Sequence, residues 1–164
     1  MILVTKKFKP FDAAHQLPNH DGKCRNLHGH TYHVEADFEG RLNATPGSPS
    51  EGMVIDFSIL SEIYDRTIYS ICDHALLMGK DHPVWFQVVQ EHAGEILDTV
   101  GLGKIAYIPV ETTTAENLAV WMFNVIESNL RRLTPLVRLV AVRVYETESS
   151  CALVTSLTTG GLHE

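Results

Sequence analysis

Several things are scarce in this 164-residue chain, and each scarcity closes a door. Positive charge is short: 13 lysines and arginines stand against 20 acids, a formal net charge of −7, which argues against a nucleic-acid binder with its usual basic face. Cysteine is limited to Cys24, Cys72 and Cys151, an odd and widely spaced set with no CxxC pair. A disulfide framework is therefore not expected, and a reducing, cytoplasmic compartment is. No apolar run approaches the roughly 20 residues that a membrane span needs, and the opening MILVTKKFKPFDAAH lacks the apolar stretch of a signal peptide. No internal repeat or low-complexity tract stands out. What remains is 45% hydrophobic and 20% charged, ordinary for one soluble domain with a proper core.

Histidine is abundant. There are nine, five of them between His15 and His33. From His28 onward, even positions (His28, His30, Tyr32, Val34, Ala36, Phe38) alternate with polar odd ones, the period of a half-buried strand. Ile2 to His15 reads as an earlier strand, and the Pro/Asn/Asp/Gly-bearing stretch from Gln16 to Leu27 as a loop. Residues 40–52 form another loop. Asp56 is placed to cap a helix over 57–72, where Phe57, Leu60, Ile63, Tyr64, Thr67, Ile68 and Ile71 recur at helical spacing.

Between Met78 and Val110 the pattern is weaker: VWFQVVQEHAGEIL suggests a short helix and KIAYIPV a short strand. Thr113-Thr114-Ala115-Glu116 matches a capping box with Thr113 as N-cap, opening a helix that buries Leu118, Trp121, Met122, Val125 and Leu130 and stops at Pro135. A strand with Val140, Val142, Val144 and Glu146 on one face and a last strand over Cys151–Ser156 follow. The order ββααββ predicts an α+β domain: an antiparallel four-stranded sheet with two helices on one face.

Side chains two apart on a strand share a face, so His28 and His30 can grip one ion. Gly29 between them permits close approach of backbone or ligand. If the first two strands pair as a hairpin, His15 falls across from both. Three nitrogens with an open fourth position describe a catalytic zinc site. Outside that trio, His20, His82, His92 and His163 read as ordinary hydrogen-bonded or surface histidines, and His33 points to the opposite face. Other groups leave alternatives open. Cys24, just ahead of the ligand strand, is either a thiol tuned by nearby cation and histidines or a small loop residue. Asp73-His74 is either an acid setting a histidine's tautomer or a solvated helix end. Glu146 sits in an inward phase and needs a partner, either an arginine of the protein or a ligand with a planar pair of donors.

FDAAHQLP, CRNLHGHTYHV, GMVIDFSIL, CDHALL, TTAENLAVW and VRVYET, in this order, resemble the 6-pyruvoyltetrahydropterin and 6-carboxytetrahydropterin synthase superfamily over most of the chain. The resemblance implies the two-layer tunnelling fold, one domain over 1–164, and homo-oligomers with active sites at subunit interfaces. It implies zinc on His15, His28 and His30, Cys24 as catalytic thiol, and Asp73 and His74 as its proton relay. Glu146 would anchor the pterin ring, and Thr113 and Thr114 would contact it. The tight CxxxHGH spacing resembles the bacterial carboxy-forming branch of the queuosine and deazapurine route. The implied reaction turns 7,8-dihydroneopterin triphosphate into 6-carboxy-5,6,7,8-tetrahydropterin, with loss of acetaldehyde and triphosphate. The pyruvoyl product, a non-catalytic zinc-binding relative and a metal-assisted hydrolase are the alternatives. Departures from the family pattern are Cys72 in place of the usual leucine, Thr113-Thr114 in place of Pro-Thr, a longer segment over 79–110, and a last strand without its aromatic.

Overall fold

The computed structural model describes residues 1–83 and 103–159. The chain runs β1 (Ile2–Lys7), β2 (Phe11–His15), a 3-10 turn (Lys23–Arg25), β3 (His28–Gly40) and α1 (Phe57–Tyr64). A π-helical stretch (Asp65–Tyr69), α2 (Ser70–Cys72), β4 (Ala75–Met78) and β5 (Ile105–Tyr107) follow. The described part closes with α3 (Ala115–Leu133), β6 (Arg138–Thr147), β7 (Ser150–Thr155) and α4 (Ser156–Thr159). The short helix expected within 84–97 lies outside the described residues.

β3 is the spine. Its first half pairs with β2, its second half with β1 on the same edge and with β6 on the other. The α+β class holds, but the sheet is larger than the four antiparallel strands expected. Among the described residues it has seven strands in the order β5-β4-β2-β3-β6-β7, with β1 also on β3, and β4 and β5 add in parallel beyond β2. β4 escaped notice because Ala75, Leu76, Leu77 and Met78 are all buried. A strand covered on both faces shows no alternation.

The expected first strand divides at Phe8–Pro10. Lys7 pairs with Glu35 and Phe11 with Tyr32, so four steps on one side face three on the other. Pro10 has no N–H to give to a ladder, and Phe8 keeps contact through its N–H to the Val34 carbonyl at 2.9 Å. One extra residue reverses which alternate positions face inward. Val4 and Phe8 face the core before the bulge; Phe11, Ala13 and His15 face it afterwards.

The helical elements cover the inward side of the sheet. Tyr32, Val34, Ala36 and Phe38 pack there with Leu60, Ile63 and Ile68 and with α3 residues Leu118, Met122, Phe123, Ile126 and Leu130. Trp121 and Val125, expected in that stripe, flank it half-buried, while Ala119, Phe123 and Ile126 take the core. The N-cap of α3 is Thr114 and not Thr113: the Thr114 hydroxyl accepts from the Asn117 N–H at 3.4 Å. Thr113 is instead drawn inward, 1% exposed. Asp56 caps α1 as anticipated, accepting from the Ser58 N–H at 2.8 Å.

β6 also departs from simple alternation. A bulge at Val140 lets Leu139 take the inward place opposite Phe38, and a second at Glu146 separates the pairs Tyr145–Cys151 and Thr147–Ser150. Replacing Phe123, which is fully buried, with alanine removes a ring that the core cannot refill. Urea denaturation at fixed protein concentration is expected to show a loss of about 3–5 kcal/mol.

Candidate metal centre

The β2–β3 register sets His15 opposite His28 and Ala13 opposite His30, all on the inward side. Ring centres are 4.5 Å apart for His15–His28, 5.1 Å for His15–His30 and 5.0 Å for His28–His30. One ring nitrogen of each lies within 4.8 Å of the others, and His15 Nε2 is 3.1 Å from His28 Nε2. Two nitrogens on one tetrahedral zinc, each about 2.0–2.1 Å from it, stand roughly 3.3 Å apart. The trio is thus closed almost to ligating distance. Gly29 contributes by its lack of a side chain: a Cβ there would come 3.2 Å from the Ala13 carbonyl oxygen and press the two strands apart.

In two of the rings the second nitrogen is spoken for. His15 Nδ1 donates to the Thr113 carbonyl at 2.9 Å, and His28 Nδ1 to the Asn26 carbonyl at 2.8 Å. Each of these bonds selects the tautomer that leaves the other nitrogen's lone pair free, the arrangement that orients metal ligands. Burial first, then the neighbouring imidazoles, push His15 down to about 4, against the opposing pull of Thr113. His30 is lowered by the same burial and by His28. Neutral rings are the ligating form.

Glu146 stands over the trio. Its Oε1 is buried, has no hydrogen-bond partner and lies 3.9 Å from His15 Nε2. The arginine alternative fails here, for Arg143 pairs with Asp37 at 2.7 Å. Burial raises the carboxyl's pKa, and repulsion from Glu116 adds to that. The Tyr32 hydroxyl beside it is buried and equally unpartnered. Tyr32 stacks on Phe11 at 5.0 Å and meets His15 and His30 edge-on at 6.1 and 5.6 Å. Unsatisfied buried polar atoms are rare, and two of them facing three imidazoles mark a place for a polar ligand.

Not every candidate gathers there. Thr113 supports His15 through its carbonyl, and Thr114 caps α3. Cys24 is a free, half-buried thiol on the 3-10 turn and is no part of the metal-ligating group. Asp73 and His74 do pair, Oδ2 to Nδ1 at 3.1 Å. Adjacent side chains meet because His74 has φ +54°, a left-handed conformation uncommon outside glycine. That pair is no part of the metal-ligating group. His74 shares a shallow depression of about 380 Å³ with Ala75 and with residues from both faces of β2 and β3, among them Asp12, Ala13, Gly29, His30 and Thr31. Reading by residue type missed Tyr32 and Asn26. The strand period places Tyr32 on the face of His28 and His30, a signal present in the sequence, while nothing local announces Asn26 as an acceptor.

Three clustered imidazoles on a helix-covered sheet, beside a buried carboxylate oxygen without a hydrogen-bond partner, make up a group that could hold a metal ion. The 6-pyruvoyl tetrahydropterin synthase family model matches residues 3–156. A 6-carboxy-5,6,7,8-tetrahydropterin synthase of Haemophilus influenzae is 33% identical over 150 residues, covering 92% of this chain and 96% of its own. One from Synechocystis is 34% identical over 127 residues, 77% of this chain and 76% of that one. Among solved structures, an uncharacterized protein from Wolinella succinogenes superposes with TM-score 0.70 at 22% identity, covering 94% of this chain and 98% of that one. The Caenorhabditis elegans 6-pyruvoyl tetrahydropterin synthase gives 0.61 at 24%, covering 95% and 97%. The chain belongs to the 6-pyruvoyl tetrahydropterin synthase family.

Two measurements check the centre. Calorimetric titration of the chelator-treated protein with zinc should show His28→Ala binding at least 100-fold more weakly than the parent. Acid should also destabilise the metal-free fold. His15 moves from 6.5 in the unfolded chain to about 4 in the folded one, so the unfolded state binds more protons between those values. Stability should be full above pH 6.5 and fall as pH drops through 4 in urea melts, and His15→Asn should flatten that slope.

Proposed function

We propose that this protein is a zinc-dependent lyase. It converts 7,8-dihydroneopterin triphosphate and one water to 6-carboxy-5,6,7,8-tetrahydropterin, acetaldehyde and triphosphate. The observation that carries the reading is the orphaned Glu146 carboxylate aimed beside three clustered imidazoles. A carboxylate in that position accepts two hydrogen bonds from the amino-pyrimidine edge of a pterin, which fixes the ring and delivers its hydroxylated side chain to His15, His28 and His30. Zinc held by those three supplies Lewis-acid polarisation of the side-chain oxygens. The chain does the rest. Thr113 and Thr114, at the start of α3, would contact the ring in addition to holding His15 and capping the helix. Cys24 takes protons from the side chain and returns them to the ring, and Asp73 with His74 relays them.

The His74 side chain is 78% exposed, which leaves the dyad open to a neighbouring copy, and we read it as serving the centre of that copy. Active sites then form only between subunits of a homo-oligomer. A free thiol in that role suits a reducing, cytoplasmic setting. The carboxy product is favoured by the CxxxHGH spacing and by the names of the Haemophilus and Synechocystis relatives. The pyruvoyl product is the second reading, and the family model's own description favours it.

Cys24→Ala should keep its fold and its zinc yet lose turnover of 7,8-dihydroneopterin triphosphate by a factor on the order of 10³. Mass spectrometry of the parent's products separates carboxypterin plus acetaldehyde from a pyruvoyl side chain. Near-normal turnover in the variant would remove Cys24 from the chemistry.

A further inference from the structure

Asp73 and His74 meet although they are neighbours in sequence. Adjacent side chains on an extended chain point apart, and here the left-handed His74, φ +54°, turns its ring back onto the Asp73 carboxylate. A residue with a Cβ keeps that conformation only where its surroundings over-determine it. The two residues share one peptide unit, and both of its polar groups are held. Its N–H, from His74, donates to the Asp12 carbonyl at 2.7 Å. Its oxygen, from Asp73, accepts from Lys104 Nζ at 2.9 Å.

The lysine reaches that oxygen from a fixed footing. Lys104 directly precedes β5, and its own carbonyl accepts the Leu76 N–H at 2.9 Å. Leu76 in turn pairs with Ile105 in the β4–β5 ladder. The same ammonium donates to the Ser70 carbonyl at 2.7 Å. Ser70 opens α2, and the last carbonyls of a helix have no partner within it. One residue therefore grips the chain on both sides of the dyad: by its main chain on the strand that follows, and by its side chain on the helix that precedes. Asp12 completes the frame from β2, giving its N–H to Asp73 Oδ1 at 3.3 Å. Asp12 does this with main-chain atoms. Lys104 does it with a side chain, so its share can be removed by substitution.

We infer that Lys104 is a positioning residue of the Asp73 and His74 dyad. Its ammonium pins the plane of the peptide that joins them. That keeps His74 left-handed, holds its Nδ1 at 3.1 Å from Asp73 Oδ2 and leaves Nε2 for the reacting partner. This rests on the reading of Asp73 and His74 as a relay given above. A charged donor grips a carbonyl more firmly than a neutral one, and a cation at a helix C-terminus is further favoured by the helix dipole. With the ammonium gone, the Asp73 oxygen is free to turn to water. The peptide then rotates, His74 relaxes towards an ordinary φ, and its ring leaves the carboxylate.

The test uses the zinc-loaded protein in its native assembly, with 7,8-dihydroneopterin triphosphate as substrate. Lys104→Met keeps an unbranched stem and removes the donor. It should lower kcat roughly tenfold, leave KM within about twofold and keep the zinc. Hydrogen exchange at the His74 amide should quicken roughly tenfold, with the amides of β3 unchanged. Lys104→Arg, which restores a cationic donor, should bring both back to within about threefold of the parent. If kcat in Lys104→Met stays at the parent value, the lysine positions nothing. The same holds if exchange quickens throughout the sheet and arginine restores neither measurement, the pattern of a general loss of stability. Asp73→Asn in parallel tells the two failures apart. Normal turnover there removes the relay, and the inference falls with it; an inactive Asp73→Asn beside a fully active Lys104→Met removes the lysine's role alone. Should Lys104→Met not fold, Lys104→Gln, with one neutral donor, is read by the same two measurements.

Discussion

One extra residue between Lys7 and Phe11 governs the site. Were that residue paired regularly instead of absorbed in a bulge, the alternation that buries Val4 and Phe8 would continue, and His15 would face outward, away from His28 and His30. A shift of one position on a strand exchanges its two faces completely, so no gradual adjustment reaches the same result. Pro10 helps hold the irregularity there, because it cannot donate to the ladder at that point. The rest of the centre follows from this inversion: a third ring beneath the other two, Thr113 pulled inward to meet it, and α3 starting one residue later at Thr114.

The centre also balances burial against charge. Taking three imidazoles and a carboxylate out of water favours their neutral forms, and His15, His30 and Glu146 all move in that direction. Neutral rings keep lone pairs ready. A partly buried carboxylate without a donor stays receptive to one. Tyr32 supplies a wall under two of the rings, with its hydroxyl near Glu146 and uncommitted. The dyad differs: Asp73 is surrounded by donors and stays ionised more easily than an ordinary carboxyl.

The parts of this that were legible in the sequence were those with a period or a local chemical signature. The alternation from His28 to Phe38, the pairing of His15 with His28, the Asp56 cap and the helix across 57–72 could all be read from residue spacing. What could not be read were single-residue irregularities and elements without a period. The bulge at Val140 exchanged its place for Leu139, and β4 hid inside a four-residue apolar run. The capping box pointed to Thr113 because local pattern does not register the pull of a histidine 98 positions away. Asp73 and His74 were visible as a dipeptide, but where they stand relative to the centre depends on the register of β4 against β2.

The bulge at Glu146 takes one residue out of the β6–β7 ladder. Tyr145 and Thr147 keep their partners on β7, so the strand stays fastened on both sides while the residue between them carries its carboxylate to within 3.9 Å of His15. A single interruption held at both ends lets a charged group stand over the imidazoles without loosening the sheet around it.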